Sequence, residues 1–488
     1  MRALVGASQN LRGLGRGRGG ARGTRLGVAG GDMETLPGVP RPSPELLSRY
    51  DVSGPRYTSY PTAPEWRRDF GPESLDERLR SAGAREPSEP LSLYVHLPFC
   101  HSLCWYCGCN VVISKDSSAA DRYLDHLVME LDLVAERLGS RRRLSQIHWG
   151  GGTPTFLTEP QLERLWTELT RRFTPMPDAE VAIEVHPSVT TGEQLSLLRA
   201  LGFNRLSMGL QDFDSRVQEA TNRLQTPERT RSLLEHARAL GFTGVNFDLI
   251  YGLPYQEPRS WARTLKTVLE MRPDRLAVYS FAFMPEVLKH QRRMPADAIP
   301  GASVKLELFR AAASAFVGAG YQPIGMDHFA VPEDELARAL SERRLGRNFQ
   351  GYTVKAASDV VALGSTGISD VDGAYAQNVR PLPAYYERIS QGRLATERGL
   401  LLTEDDRRRR GVITQLMCNA WVDLGEDSLR DFAPELERLR PFEEDGLLVR
   451  SGTQLELTAL GKLFVRNVAM VFDARLAKAE RPRFSRTV

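Results

Sequence analysis

The sequence predicts an α/β protein whose central part alternates strands and helices. Short apolar segments between residues 92 and 284 have the composition of strands: SLYVHLPF, SQIHWGGG, AEVAIEV, NRLSMGLQ, GVNFDLIYG and DRLAVYSF. Segments between them, such as YLDHLVMELDLVAERL and EPQLERLWTELTRRF, carry apolar residues at helical spacing. Repeated strand–helix units indicate a parallel sheet. Six units are too few to close an eight-stranded barrel, so the pattern leaves a partial barrel or a doubly wound sheet.

Composition is that of an ordinary globular protein. The chain has 488 residues, 41% hydrophobic and 26% charged, which is enough for a large core and more than one domain. Lysine plus arginine number 64 against 61 acidic residues, a net charge of +3 that does not indicate a nucleic-acid partner. No uninterrupted apolar run reaches membrane-spanning length, so no membrane partner is predicted.

The first 32 residues differ from the rest, because they are rich in Gly and Arg with no acid before Asp32. An RNA-binding arm, a transit peptide and an unstructured leader are the alternatives, and the many glycines disfavour an amphipathic transit helix. We interpret the segment as disordered, or as an extension preceding a true start at Met33.

The first strand candidate leads into the most unusual stretch of the chain, YVHLPFCHSLCWYCGCN. It holds four of the five cysteines: Cys100, Cys104, Cys107 and Cys109. A disulfide framework is disfavoured in a long chain with few cysteines and no apolar signal segment. A zinc site would prefer a second C-x-x-C pair or histidines. The remaining alternative is an iron–sulfur cluster on CxxxCxxC thiolates, with three ligands leaving one iron open.

The later strand candidates also end in unusual residues. Gly150–Thr155 reads GGGTPT, whose glycines let backbone approach a ligand closely. Buried acids and amides follow on the next strands: Glu184, Gln211, Asp212 and Asp248, with Arg223 nearby. Each alone would be read as a structural hydrogen-bonding group. Together they predict a ring of polar groups at the carboxyl ends of the strands, where ligands bind in such folds.

These motifs resemble the radical S-adenosylmethionine (SAM) superfamily, and PFC, CWYC and CGCN resemble its oxygen-independent coproporphyrinogen III oxidase family. The resemblance implies a partial (β/α)6 barrel with an N-terminal extension and a mostly helical, winged-helix-like C-terminal domain. It implies that Cys100, Cys104 and Cys107 hold a [4Fe–4S] cluster beside two SAM molecules. Matched positions place Tyr94, Gly151, Glu184 and Ile368 at the cluster-bound SAM. They place Tyr106, Gly152, Thr153, Gln211, Arg223, Asp248 and Ala282 at the second SAM.

The implied reaction is oxidative decarboxylation of two propionates of coproporphyrinogen III to vinyl groups, giving protoporphyrinogen IX without O2. The resemblance also implies a monomer that receives electrons from a donor protein, and the oxygen-sensitive cluster with few cysteines predicts a cytoplasmic location. No catalytic side chain is assigned beyond the cluster and SAM ligands. The alternatives are a related haem chaperone, and more remotely a radical SAM methyltransferase. Cys109 and the segment GPRYTSYPTA favour the oxidase.

Four regions are predicted: residues 1–44 as leader, 45–91 as a substrate-covering segment, 92–375 as the barrel core and 376–488 as the C-terminal domain. Arg56 in the covering segment suits an acidic substrate. His186 stands where family members often have an acid. Asp327 and His328 are interpreted as a structural pair, Arg407–Arg410 as a solvated helix face, and Cys418 as buried.

Overall fold

The computed structural model describes residue 40, residues 42–355 and residues 357–476, so the expectations for residues 1–32 and Met33 lie outside the described residues. The strands, in chain order, are β1 (Leu91–Leu97), β2 (Phe99–Cys100), β3 (Val112–Ile113), β4 (Arg143–Gly151), β5 (Thr174–Val185), β6 (Arg205–Gln211), β7 (Gly244–Tyr251), β8 (Arg275–Ser280), β9 (Gln322–Gly325), β10 (His328–Ala330), β11 (Gly346–Asn348), β12 (Gly351–Thr353), β13 (Val360–Leu363), β14 (Ile368–Val371), β15 (Ala374–Asn378), β16 (Thr396–Leu401), β17 (Trp421–Asp423), β18 (Leu448–Ser451) and β19 (Gln454–Leu457).

The α-helices, in chain order, are α1 (Pro44–Tyr50), α2 (Pro72–Gly83), α3 (Asp121–Leu138), α4 (Glu159–Arg172), α5 (Gly192–Ala200), α6 (Ser215–Thr221), α7 (Pro227–Ala239), α8 (Pro258–Met271), α9 (Ala302–Gly318), α10 (Glu335–Ser341), α11 (Leu382–Ser390), α12 (Glu404–Asn419), α13 (Gly425–Asp431), α14 (Ala433–Arg438), α15 (Arg440–Glu444) and α16 (Val465–Met470).

One large sheet organises these elements, with the strand order β16-β15-β14-β13-β1-β4-β5-β6-β7-β8-β10-β9. The seven strands from β13 to β8 in this order pair in parallel with their neighbours. The strands added outside β13 and outside β8 pair with them in the antiparallel direction. All six predicted strands are therefore present, and they lie next to one another in the sheet in the same order as in the chain. The sheet keeps two edges, which is the open, partial-barrel architecture that was predicted.

The strand β13 was not predicted. It pairs parallel with β1, in register from Ser92↔Val360 to Val95↔Leu363, and adds a seventh parallel strand. Its four residues are all buried but too short to give a periodic signal. Through β13 the sheet continues into β14, which carries the predicted site residue Ile368.

Helices cover the parallel strands by burying one apolar face. In α3, leucines at 124, 127, 131 and 138 recur at three-, four- and seven-residue spacing and are buried against the sheet. The helix ends at Gly139, whose φ of +56° suits glycine at a C-terminus. Helices formed in this way hold the strands' carboxyl ends at fixed positions around the site.

The C-terminal part is mostly helical, with a small antiparallel sheet in the order β17-β19-β18. The predicted hairpin is β18–β19, and the helix after it is α16. The N-terminal segment packs on this part, since the buried Tyr57 donates from its hydroxyl to Asp473 at 2.9 Å. The buried Tyr60 accepts from the Ala474 N–H at 3.2 Å.

The four arginines at the start of α12 are not all solvated. Arg407 and Arg408 are exposed, but Arg409 and Arg410 are half-buried. Arg409 pairs with Asp405 and Glu435, and Arg410 pairs with Asp370 of the main sheet. The expectation of a uniformly solvated face is therefore wrong at two positions, because this helix turn faces the sheet. Across the part of the chain that the structure describes, no helix combines the length and apolar character needed to cross a membrane.

Candidate active site

The cysteine loop lies at the carboxyl end of β1 and is fastened to the glycine turn that follows β4. The Gly152 N–H donates to the Leu97 carbonyl at 2.9 Å, and the Thr153 N–H donates to the Phe99 carbonyl at 2.8 Å. Cys100 lies on β2, which pairs with β3 of the same loop. The loop is thus held at both sides by backbone hydrogen bonds, which suits a rigid ligand-presenting segment.

The first three thiols of the loop are half-buried, whereas Cys109 is exposed. The Cys100 thiol lies 3.4 Å from the Thr153 hydroxyl. The Arg223 guanidinium donates to Cys104 Sγ at 3.6 Å, and the Cys109 N–H donates to Cys107 Sγ at 3.4 Å. Each of the three predicted ligands therefore has a polar neighbour at its sulfur.

The acidities of these thiols differ. Burial raises the pKa of Cys100 to about 11. A hydrogen bond between the Cys107 and Cys109 side chains lowers the pKa of Cys107 to about 7 and raises that of Cys109. The sequence left the role of Cys109 open, and the structure makes it the partner that favours a thiolate at Cys107.

The glycine turn is packed too closely for side chains. A Cβ on Gly150 would lie 2.5 Å from Glu184 Oε1, and one on Gly152 would lie 2.7 Å from the Phe99 carbonyl oxygen. Gly151 has a φ of +117°, and its Cβ would meet the His96 ring at 2.5 Å. The glycines are therefore required both for contact with the cysteine loop and for the position of Glu184.

Glu184 ends β5 and is oriented by two hydrogen bonds. Its Oε1 lies 3.1 Å from His148 Nε2, and its Oε2 accepts from the Gly151 N–H at 3.1 Å. His148 in turn stacks on Tyr94, with 5.9 Å between ring centroids. The Glu184 side chain remains 41% exposed, so it is available to a ligand. The sequence identified Tyr94 and Glu184 but missed His148, whose role depends on strand pairing.

Gln211 and Arg223 have buried polar atoms without protein partners. Gln211 lies at a register shift in β6, with a φ of +67°, a local distortion that re-aims a side chain. Within the described residues, Gln211 Oε1 and Arg223 Nε have no hydrogen-bond partner. Buried polar groups are normally satisfied, so these atoms fit a polar ligand such as SAM.

Two acids on β6 and β7 or directly after them are already hydrogen-bonded by protein groups. Asp248 is half-buried; it accepts from Ser207 Oγ at 3.0 Å and from Asn246 Nδ2 at 2.8 Å, and burial raises its pKa. Asp212 accepts from Gln256 at 2.6 Å and Thr264 at 2.5 Å. Asp212 is 2% exposed, so it is a structural group.

Tyr106 and Ala282 are joined by a residue that sequence reasoning missed. Gln291 is buried, and its amide donates to the Tyr106 carbonyl at 3.3 Å and to the Ala282 carbonyl at 3.1 Å. The neighbouring His290 ring lies 2.7 Å from the Cys107 carbonyl oxygen. This segment therefore fixes the cysteine loop against the end of β8. No local sequence signal distinguishes it.

The remaining predicted residues lie further from the thiols. Ile368 lies on β14 and packs against the aromatic cluster of Trp66 and Tyr375. His186 accepts from the Ser188 N–H at 3.2 Å, and burial, followed by the charge of Arg223, lowers its pKa to about 3. Both effects disfavour a positive charge on this histidine.

Asp327 and His328 form the structural pair that was predicted. The His328 Nδ1 lies 2.8 Å from Asp327 Oδ1. Arg56 pairs with the same carboxylate. Its guanidinium is therefore already engaged by protein, which weakens its expected role toward an acidic substrate.

Comparison with known proteins decides the family. The radical SAM superfamily matches over residues 94–268, and the HemN C-terminal domain matches over residues 402–464. The oxygen-independent coproporphyrinogen III oxidase of Pseudomonas aeruginosa is 44% identical over 456 residues, covering 91% of this chain and 98% of that protein. The Escherichia coli protein of that name is 45% identical over 451 residues, with the same coverage of 91% and 98%.

The solved structure of coproporphyrinogen III oxidase (HemN) from Escherichia coli, described as a radical SAM enzyme, matches with a TM-score of 0.82. The match has 45% identity and covers 86% of this chain and 97% of that chain. The chain belongs to the oxygen-independent coproporphyrinogen III oxidase family. Membership of the radical SAM superfamily implies a [4Fe–4S] cluster and SAM, and the relatives' names favour the predicted oxidase over a haem chaperone.

The donor set fits such a cluster, because cysteine thiolates are the usual ligands of iron–sulfur clusters. Cys100, Cys104 and Cys107 lie on one loop that backbone hydrogen bonds anchor to the glycine turn. The Arg223 side chain contacts Cys104, and its Nε has no partner in the described part of the chain.

Proposed function

We propose that this chain converts coproporphyrinogen III to protoporphyrinogen IX without O2, by oxidative decarboxylation of two propionates to vinyl groups. The observation that carries the proposal is the anchored loop of three thiols at the carboxyl end of the parallel sheet. It lies beside a glycine turn, in a chain aligned with almost the full length of relatives named for this activity. Cys100, Cys104 and Cys107 would hold the cluster, which together with bound SAM would supply the one-electron chemistry for removing a hydrogen atom and CO2 from each propionate.

Cys100, Cys104 and Cys107 are the proposed cluster ligands. The contact from Arg223 to Cys104 and the hydrogen bond from the Cys109 N–H to Cys107 support this assignment, because both place a hydrogen-bond donor at a ligand sulfur. Cys109 then serves as a positioning residue rather than a fourth ligand, which leaves one iron open.

Two SAM positions are proposed from the distribution of the candidate residues along the sheet. Tyr94, Glu184 and Ile368 lie on β1, β5 and β14, on the side of the sheet that continues into β13. Gln211, Asp248 and Ala282 lie on or directly after β6, β7 and β8, toward the other side. Gly151, Gly152 and Thr153 lie at the end of β4, between β1 and β5 of the first group, and Arg223 contacts the cysteine loop at Cys104. This separation supports two positions that share one cysteine loop.

The chain's own residues would hold SAM and exclude water. Glu184, held by His148 and Gly151, offers a carboxylate to an ammonium or ribose hydroxyl. Gln211 and Arg223 offer buried polar atoms. Water must be kept from a reactive radical, and we assign this role to the 45–91 segment and the C-terminal domain that begins at 376. The core between them is assigned to residues 92–375.

A protein electron donor is also proposed. The outer part of the cysteine loop, from Gly108 to Cys109, is exposed, so a donor can approach the cluster position. The five cysteines are all free thiols, which suits a reducing cytoplasm. A monomer is proposed from the resemblance to the family.

An anaerobic assay tests the proposed function. Reconstituted protein is mixed with SAM, a reductant and coproporphyrinogen III, and porphyrins and 5′-deoxyadenosine are quantified. We expect two vinyl groups per product and loss of the cluster absorbance and of turnover in Cys104→Ser. The matched control Cys418→Ala removes a buried thiol outside the loop and should keep both. Haem binding without SAM cleavage would instead identify a chaperone, and a Cys104→Ser protein that keeps its cluster would refute the ligand assignment.

A further inference from the structure

A cavity of about 90 Å³ lies where the N-terminal segment, the main sheet and the C-terminal part meet. Its walls include Ser59 of the N-terminal segment, Arg347 of β11, Asp370 of β14, and Arg410 and Cys418 of α12. A volume of this size accommodates a side arm of a few atoms, whereas whole small-molecule sites usually measure about 300–1,000 Å³. The cavity can therefore take one arm of a larger ligand but not a ring system.

Two polar atoms on the cavity wall have no partner in the described part of the chain. They are the Ser59 hydroxyl and Nε of Arg347. Ser59 is only 7% exposed. A buried donor without an acceptor costs about 1–3 kcal/mol, so both groups favour a ligand that brings acceptor oxygens.

The charge of the cavity points to an anion. Arg410 is neutralised by Asp370 across the cavity wall. Arg347 donates to the Arg56 carbonyl at 3.1 Å and lies over the Tyr352 ring at 5.1 Å. No carboxylate among the described residues lies within ion-pair distance of Arg347. Arg347 thus has no direct ion pair among the described residues, and the one carboxylate on which its charge acts, Asp327, is already paired with Arg56. A carboxylate is the group that a guanidinium pairs best.

The cavity is connected to the candidate active site through aromatic side chains. Phe349 and Tyr375 both line it and contact each other edge-on, with 5.9 Å between ring centroids. Ile368, a proposed SAM contact, packs against the same cluster. One proposed SAM contact and the cavity therefore share the aromatic cluster of Phe349 and Tyr375.

We propose that this cavity binds one propionate carboxylate of the tetrapyrrole substrate, an arm that is not reacting, through Arg347 and Ser59. The inference rests on the proposed function. A fixed distal carboxylate orients the macrocycle and selects tetrapyrroles that carry several carboxylates. Arg347 and Ser59 are specificity-determining residues in this scheme, because they bind the substrate away from the reacting carbon.

Steady-state kinetics of the reconstituted holoenzyme test this assignment. We expect Arg347→Gln to raise the KM for coproporphyrinogen III at least about tenfold, because a charge-assisted hydrogen bond is lost. The KM for SAM, the cluster content and the thermal midpoint should stay near wild type. Ser59→Ala should raise the same KM by about two- to fivefold, and Arg347→Lys should restore part of the loss. Arg430→Gln, the same change at an exposed arginine that does not line the cavity, is the matched control and should leave the KM unchanged.

Two results would overturn the assignment. One is an unchanged KM for coproporphyrinogen III in both Arg347→Gln and Ser59→Ala, which would show that the cavity binds no part of this substrate. The other is an equal rise in the KM for SAM, or an equal rise in the KM for coproporphyrinogen III in Arg430→Gln, which would indicate that the effect is not specific to the cavity. A wild-type enzyme that cleaves SAM but does not convert coproporphyrinogen III would refute the proposed function itself, and the same assay distinguishes that failure.

Discussion

At the scale of single residues, the glycine turn explains how the cysteine loop and Glu184 are kept at fixed positions. The space that a side chain would occupy at Gly151 is filled by the ring of His96. That ring is 6% exposed and lies 3.1 Å from the Tyr94 hydroxyl, so it cannot move aside easily. Because the turn has no side chains, it packs closely between His96 of β1 and Glu184 of β5 and thereby fixes the distance between them.

The substitution Gly151→Ala tests this requirement. Gly151 has a φ of +117°, and its Cβ would lie 2.5 Å from His96, so strain and overpacking together should cost roughly 2–4 kcal/mol. Gly411→Ala is the matched control, since Gly411 lies within α12 with no atom near its Cβ position. It should be neutral or stabilising by up to about 1 kcal/mol. Thermal midpoints of both variants measure the difference, and equal midpoints would contradict the packing argument.

At the scale of elements, sequence patterns predicted the parallel strands and most candidate residues. The six long apolar strands were predictable because their composition is local, and the loop thiols and Glu184 because such residues are unusual at strand ends. The strand β13 was not predictable, because its four residues are too few for a periodic pattern and become a strand only by pairing with the distant β1. Gln291 and Arg347 were missed for the same reason, since their partners lie far away in sequence. Local sequence patterns do not show which distant segments of the chain contact each other.

One buried carboxylate joins several elements around β13 and gives a pH-dependent prediction. Glu130 of α3 accepts from the Gly364 N–H at 2.7 Å, from Asn378 of β15 at 2.7 Å and from Tyr385 of α11 at 2.8 Å. Burial nevertheless raises its pKa to about 7. The folded state therefore holds this proton more tightly than the unfolded state, whose carboxyl titrates near 4.5.

Raising the pH from about 4.5 to 7 should accordingly reduce the stability that Glu130 contributes, by up to roughly 3 kcal/mol. Glu130→Gln removes the titration but keeps the shape. Relative to wild type, its denaturation midpoint should thus rise as pH increases from 5 to 8. Denaturant titrations at both pH values measure this difference. A constant offset between the two proteins would show that Glu130 is ionised in the folded state throughout.

At the scale of the whole molecule, the N-terminal segment joins the sheet to the C-terminal part. Arg466 of α16 is 7% exposed and donates to the Pro55 carbonyl at 2.9 Å and to the Gly54 carbonyl. Tyr57 reaches Asp473 in the same region, while Arg56 pairs with Asp327 near β10. The segment is therefore attached to both parts, and it also forms one wall of the proposed carboxylate cavity.

Loss of this attachment should loosen the segment without unfolding the sheet. Arg466→Met leaves the Gly54 and Pro55 carbonyls without their donor, at a cost of about 1–3 kcal/mol for each buried group. Lys462→Gln, at an exposed position nearby, is the matched control. Limited proteolysis with mass spectrometry should detect faster cleavage between residues 50 and 65 in Arg466→Met, with the sheet fragments intact. Because the segment forms a wall of the cavity, the same variant should bind coproporphyrinogen III more weakly while retaining its cluster. Cleavage at the wild-type rate would show that Tyr57 and Arg56 hold the segment without Arg466.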